Sequence, residues 1–393
     1  MTRHWSPLTM LMLACAPHTP PSPTPVPLDV NHLGPATEFL DSAVAAGAAP
    51  GAVLAILHGH ERFVYGTGQV GADQPGRPDA QTIYDLASLT KVVGLVTGAM
   101  LAVSEGKLDL DAPVQRYIAQ FSGAGKERVT VRLLLAHASG LPAWRPLFRD
   151  ATSRAEVFAM ADATPLDSAP RRSEVYSDIG AIVLTQIVET VYHQRLDSLL
   201  DQRVFGPLGM SSTGYLPESD QLDRIAPTEL DPWRGRVLRG EVHDENAAIM
   251  DGVSGHAGLF SSAADLLTFA EWLLGVWART ACGLPSPAQP CGPTLQQSVL
   301  REFTRRQNLA PGSSRALGWD TPAPGSSAGR RLSSMSFGHT GFTGTSLWID
   351  PEHQLAIVLL SNRVNPTRDN PRWNPVRAAV ADLVMTTLFE DAQ

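Results

Sequence analysis

The chain has 393 residues, 43% of them hydrophobic and 18% charged, enough to bury one large core or two modest ones. Formal net charge is -8 without a long basic run, which argues against nucleic acid as a partner, because phosphate contacts need clustered Lys and Arg. Beyond the N-terminus no stretch reaches the ~18 consecutive apolar residues of a membrane-spanning helix.

The first residues read "MTRHWSPLTMLMLACAP": a basic start, a short apolar stretch and a small residue before Cys15. This predicts a signal peptide over 1–15. The "MLAC" ending resembles a bacterial lipoprotein signal, in which Cys15 carries the lipid and anchors the chain to a membrane; plain secretion is the alternative. "PHTPPSPTPVP" follows, and 16–34 reads as a Pro-rich tether.

"ATEFLDSAVAAGAAPG" (36–51) suits a helix stopped by Gly and Pro. "AVLAILHGHERFVYGTG" alternates around "HGHE", as two antiparallel strands and a turn would. A helical pattern runs from Ser88 to about Gly106. Thr130 is a natural N-cap for the next helix and Gly140 its stop. Further helices are expected over 153–162, 178–192 and 195–203, and one opens at Ser262 with Asp265 at capping-box spacing. Two strands, 345–349 and 354–361, flank "DPEH", and "NPVRAAVADLVMTTLFE" closes as a helix. The stretches 211–255 and 283–330 read as loops. At the start of the second, Cys282 and Cys291 flank "GLPSPAQP" and could close a local disulfide in an exported protein; two free thiols are the alternative. The expected fold is α+β: one antiparallel sheet built from both chain ends, flanked by helices, with a helical region between.

Several short patterns fail on context. "GTGQVG" (66–71) fits a dinucleotide fingerprint but is followed by "ADQPGRPDA" where a helix is required. "GSSAG" (325–329) fits a nucleophile elbow but lacks its strand and helix. "HDE" at 243–245 with His256 has no metal-ligand spacing and reads as loop hydrogen bonding.

Ser88 and Lys91 are different. Residues i and i+3 share a helix face, and this pair stands in the apolar run "LASLTKVVGLVTGAML". A buried Lys91 would be poorly solvated, which lowers an ammonium pKa and makes a basic amine beside a serine hydroxyl possible. "SEGK" (104–107) has the same spacing but straddles a helix end and should be solvated and inert. The chain holds three lysines among its 31 Lys and Arg, and only Lys can supply a neutral amine. Downstream come "EVYSDIG", with Tyr176 and Asp178, and "FGHTGFTGTSLWID", with His339, Thr340 and Gly341.

This order resembles the serine β-lactamase and penicillin-binding-protein superfamily, in its class C, esterase and D-aminopeptidase branch. "LLLAHASGLP", "FGPLGM", "DGVSGHAGLFSSAADL" and "GHTGFTGTSLWIDP" resemble it too, and "RGEVHDENA" is similar to its penicillin-binding-protein-4B-like members. The likeness covers roughly 38–390 and implies one β-lactamase/transpeptidase-like domain over 35–390. It implies an exported hydrolase that cleaves an ester, amide or D-amino-acid peptide bond through an acyl-Ser88 intermediate, with no cofactor and no metal. Lys91 and Tyr176 would together take the Ser88 proton. The backbone N–H of Ser88 and of Phe342 would hold the oxyanion, and Asp178, His339, Thr340 and Gly341 would line the substrate.

Two positions depart from the pattern. Asp178 stands where Asn is usual, and an ionised Asp only accepts hydrogen bonds. His339 stands where Lys is usual, and at its ordinary pKa of ~6.5 a His is mostly neutral at pH 7. Binding of carboxylate-bearing penicillins should therefore be weak, and Asp178 is expected to hold either Lys91 or His339 charged. The alternative function is a catalytically silent sensor of cell-wall fragments or penicillins.

Overall fold

The run "GAVLAILH" is apolar at nearly every position because both of its faces are covered. In the computed structural model, which describes residues 28–29, 31–278 and 292–389, it forms β1 (Gly51–His58) near the middle of the main sheet. Val53, Ala55 and Leu57 join the large interior core, while Leu54 and Ile56 face a second core. The signal-like stretch with Cys15, most of the tether, and the pair Cys282 and Cys291 lie outside the described residues.

β2 (Glu61–Gly68) hairpins onto β1. Next come β3 (Ile83–Asp85), β4 (Gly214–Tyr215), β5 (Leu230–Asp231), β6 (Arg236–Val237) and β7 (Leu259–Ser262). The C-terminal part adds β8 (Phe337–Thr340), β9 (Ser346–Asp350) and β10 (Leu355–Ser361). The main sheet has the order β2-β1-β10-β9-β8 and is antiparallel throughout, with Ala52 opposite Ser361 and His58 opposite Leu355. The two chain ends therefore share one sheet, as the strand pattern predicts.

Period-2 alternation sorts the side chains of this sheet. Leu355, Ile357 and Leu359 of β10 share the second core with Leu40 and Val380 of the terminal helices Gly34–Ala45 and Asn374–Phe389. Ala356, Val358 and Leu360 point the other way, into the interior core shared with the helix Ala263–Ala278. That helix is capped as its sequence suggests, with Asp265 N–H donating to Ser262 Oγ at 3.3 Å. The middle of the chain supplies Arg154–Ala163, Asp178–Tyr192 and Leu196–Leu200.

Two expectations need correction. The helix capped by Thr130 is only Val131–Leu135; it stops well before Gly140, because His137 takes a left-handed φ of 53°. Gly140 instead allows a close crossing, since a Cβ there would stand 2.1 Å from the Ser168 carbonyl oxygen. Within the expected loop 283–330, residues Gln297–Thr304 form a helix. No side chain within the described residues caps it; its signal is Val299, Leu300 and Phe303 at helical spacing, and their burial holds it.

Candidate active site

A second sheet, β3-β7-β4, delivers the serine. Directly after β3 the chain turns, and Ala87 adopts a φ of 45°. A residue with a Cβ rarely occupies that region, and such strain clusters at functional sites. The Asp85 carboxylate fixes the turn by accepting from Ala87 N–H at 2.8 Å and His243 N–H at 2.7 Å. Ser88 emerges half-buried at the start of the helical run, and Lys91 follows in a π-wound segment, Lys91–Val96, that continues as the helix Thr97–Ser104. The "SEGK" pair behaves otherwise: Lys107 is 43% exposed and pairs with Glu105 at 2.8 Å.

Lys91 is 2% exposed and its ammonium is surrounded by acceptors. Nζ lies 3.0 Å from Ser88 Oγ, 3.0 Å from the His256 carbonyl and 2.7 Å from Asp178 Oδ1. The Asp178 contact is close but off the axis of a good hydrogen bond. Burial opposes the charge, yet Asp178 and Tyr176 outweigh it and the group is pushed up to about 12. Of the two states the sequence leaves open, an amine freed by burial and an ammonium held by Asp178, the second is found, because the carboxylate is folded in beside it. Of the two partners expected for Asp178, the geometry selects Lys91.

Asp178 is the first residue of its helix, where an anion is favoured by the unpaired N–H groups. Ser177 caps that helix through Gly180 N–H, and His137 Nδ1 accepts from Ser177 N–H at 3.0 Å. His137 is therefore a neutral ring, and burial holds its pKa well below the usual value. It packs on one side of Tyr176, at 4.7 Å between ring centroids, while His339 lies at 5.7 Å. Lys91 Nζ stands 4.8 Å from the Tyr176 ring centroid, and the Arg315 guanidinium 5.1 Å. The Tyr176 hydroxyl is out of solvent and completes no hydrogen bond among the described residues. Burial raises its pKa, although Lys91 and Ser88 are near enough to favour the phenolate.

His339 and Thr340 belong to β8, the edge strand. His339 donates from Nδ1 to the Thr340 carbonyl at 2.7 Å and leaves Nε2 buried without a partner among the described residues. Burial drives its pKa down to about 4, so the ring is neutral. The turn after β8 docks on the segment before Ser88: Thr343 Oγ1 donates to the Asp85 carbonyl at 2.7 Å and Thr345 Oγ1 to the Leu86 carbonyl at 2.9 Å. Gly341 is required by this contact, since a Cβ would sit 2.3 Å from Leu86 O. Arg377 holds the same turn from behind through the Gly341 carbonyl at 2.7 Å. Ser88 N–H and Phe342 N–H carry no hydrogen bond among the described residues.

A neutral buried His339 makes a stability prediction. Its folded pKa lies below the unfolded 6.5, so the contribution is whole above pH 6.5 and is lost as pH falls through about 4. That loss amounts to about 3 kcal/mol at ~1.4 kcal/mol per pKa unit. Urea melts from pH 7 to 3.5 should show His339→Gln losing less stability over this range than the parent; equal losses would reject the assignment.

Two of the expected loop residues complete the surroundings. His256 pairs with Asp244 and Ser254 at 2.8 and 2.7 Å, and His243 with Glu229 at 2.8 Å, so both rings serve loop hydrogen bonding. Sequence reading missed Asp85 and Arg377. Asp85 had a signal, an Asp two residues before a strained turn; Arg377 had none, because it arrives from the last helix.

Residues 36–382 match the family described as Beta-lactamase. The chain belongs to the β-lactamase family. An Escherichia coli O157:H7 relative, provisionally named D-alanyl-D-alanine carboxypeptidase, is 31% identical over 91% of this chain and 88% of its own. Among solved structures, a penicillin-binding protein homologue from Caulobacter crescentus superposes with a TM-score of 0.71 at 18% identity, covering 91% of this chain and 98% of that one. A class C β-lactamase from Rhodobacter sphaeroides gives 0.67 at 23%, covering 91% and 99%. At such identities these two structures establish the β-lactamase fold. In this member of the family Ser88, Tyr176 and Asp178 come together around the Lys91 ammonium, and Phe342 is 48% exposed.

Proposed function

We propose that this β-lactamase-family chain is an exported serine hydrolase of the bacterial cell envelope, acting on esters, amides or D-amino-acid peptides through an acyl-Ser88 intermediate. The observation that carries the reading is Ser88 Oγ in contact with a buried Lys91 that also touches Asp178, with the Ser88 and Phe342 N–H groups unpaired among the described residues. The relatives named for D-alanyl-D-alanine carboxypeptidase support peptides of that type, and an envelope location with them. A lipid on Cys15 would tether the domain there.

In the resting site Lys91 is charged and Tyr176 is protonated. Attack starts from the form in which this pair has released one proton to solvent: Ser88 Oγ adds to the substrate carbonyl and its own proton fills the vacated place on the Lys91–Tyr176 pair. The Ser88 and Phe342 N–H groups receive the oxyanion; a donor of this kind is worth ~2.7–4 kcal/mol in the transition state. The pair then returns the proton to the leaving group, and water, activated by the same pair, cleaves the acyl-enzyme.

The test is turnover of p-nitrophenyl acetate, a D-Ala-D-Ala peptide and nitrocefin, with a fluorescent penicillin as covalent label. Hydrolysis of the ester and the peptide, with slow nitrocefin turnover, is expected. Labelling without turnover of any of the three would make the chain a sensor instead.

A further inference from the structure

His243, Asp244 and Glu245 are consecutive, and each is tied to a different part of the structure. Asp244 pairs with His256, whose carbonyl meets Lys91. Glu245 pairs with Arg368, which also holds Glu229. His243 makes two connections at once. Its backbone N–H donates to Asp85 Oδ2 at 2.7 Å, while Asp85 Oδ1 accepts from Ala87 N–H at 2.8 Å, one residue before Ser88. Its ring stacks on Phe342 at 5.8 Å between centroids, with 26° between the planes. The Arg363 guanidinium lies 4.6 Å from the same Phe342 centroid. One buried histidine is therefore bound to both segments whose N–H groups, on Ser88 and Phe342, are unpaired among the described residues.

The His243 ring is itself fixed. Nε2 lies 2.8 Å from Glu229, a buried carboxylate that also accepts from Arg368 Nε at 2.6 Å. Burial opposes the charge on Glu229, but His243 and Arg368 outweigh it and bring its pKa down to about 2. Phe342 has the opposite character: it is 48% exposed, so about half of it meets no protein and the stack on His243 matters more.

We propose that His243 is a positioning residue for the oxyanion, setting the Ser88 N–H through Asp85 and the Phe342 N–H through its ring, so that both donors face one oxygen. This rests on the acyl-Ser88 reading and extends it from the nucleophile to the groups that receive the developing charge. Such donors act fully only when they are aimed beforehand at the place the oxyanion will occupy. Misplacing a group by about 1 Å can cost ~10²-fold in rate. Thr343 ties the same two segments through the Asp85 carbonyl, so loss of the His243 ring should cost less, about tenfold.

The experiment is a double-variant cycle of His243→Gln, Phe342→Ala and the two together. Gln can keep a hydrogen bond to Glu229, which also retains Arg368, but it has no ring to stack. Phe342→Ala keeps the donor N–H and removes the other ring. Two quantities are read: kcat/KM for the best of the three substrates above, and the inhibition constant of phenylboronic acid. The boronic acid adds to a serine oxygen as a tetrahedral analogue of the transition state, so its binding reports the oxyanion donors. An inhibition constant does not depend on how many sites are folded, whereas loss of folded enzyme lowers the rate alone. Each single variant should lose about tenfold in kcat/KM and weaken phenylboronic acid by a similar factor. The double variant should lose little more than the worse single, because both changes break one contact. Phe342→Ala alters a half-exposed side chain, so it tests the stack even where His243→Gln folds poorly. Unchanged kinetics in Phe342→Ala or in folded His243→Gln, a lower rate with unchanged inhibition, losses that multiply in the double variant, or a parent insensitive to phenylboronic acid would each overturn the inference and leave the serine hydrolase standing. A parent that cleaved none of the three substrates would remove the hydrolase reading, and the inference with it.

Discussion

Ser88→Ala should lower kcat for p-nitrophenyl acetate by about 10⁴-fold or more, as loss of a catalytic nucleophile does elsewhere, and should abolish labelling by penicillin. The acyl-enzyme cannot form without Oγ, so only background attack by water inside the oxyanion site remains. KM for the ester should change little, because Ser88 contributes little to ground-state binding. The fold should survive: Lys91 keeps Asp178 and the His256 carbonyl when it loses Ser88, and the lost hydrogen bond is worth about 1 kcal/mol. Steady-state kinetics with intact-mass detection of the acyl-enzyme, alongside a thermal melt, reads all three quantities. A variant that kept a tenth of the parental rate would place the nucleophile elsewhere.

How much of this site could be read from the sequence follows from how each part is held. Local devices were legible: the Thr130 and Ser262 caps, the β1–β2 hairpin, and the helix opened by Asp178 all depend on residues a few positions apart. The order of the three motifs pointed to a shared cleft, but not to what joins them. That joint is the pair of hydroxyls, Thr343 and Thr345, donating to the carbonyls of Asp85 and Leu86 across more than 250 residues of chain. Its register is set by packing of the whole sheet, and no local pattern encodes it. The charge of Lys91 stays open in the sequence for a related reason. Burial could be inferred from an apolar run, whereas the opposing carboxylate at 2.7 Å is a tertiary fact. His339 was expected to face the substrate; it is packed near Tyr176, and its unpartnered Nε2 is a consequence of burial that strand alternation alone cannot reveal.

The second large effect is expected at Lys91, and it separates catalysis from stability. Lys91→Met fills similar space without charge, so it should lower kcat by about 10³-fold or more, because Ser88 and Tyr176 lose the group that shares their proton. It should also destabilise the fold, since removing one partner of a buried pair leaves the other charge uncompensated, typically at ~3–5 kcal/mol; the 19% exposure of Asp178 places this case at or below the lower end. The double variant Lys91→Met with Asp178→Asn removes the stranded carboxylate as well. It should recover much of the lost melting temperature and none of the activity. In the parent, Lys91 titrates near 12 rather than 10.5, so the pair's contribution stays whole below about pH 10.5 and fades as pH rises through 12. The parental stability should accordingly fall more steeply across that window than that of the double variant. A double variant no more stable than Lys91→Met would show that Asp178 is not the charge Lys91 neutralises. A Lys91→Met enzyme within tenfold of the parental rate would remove Lys91 from the proton path and leave Tyr176 to act alone.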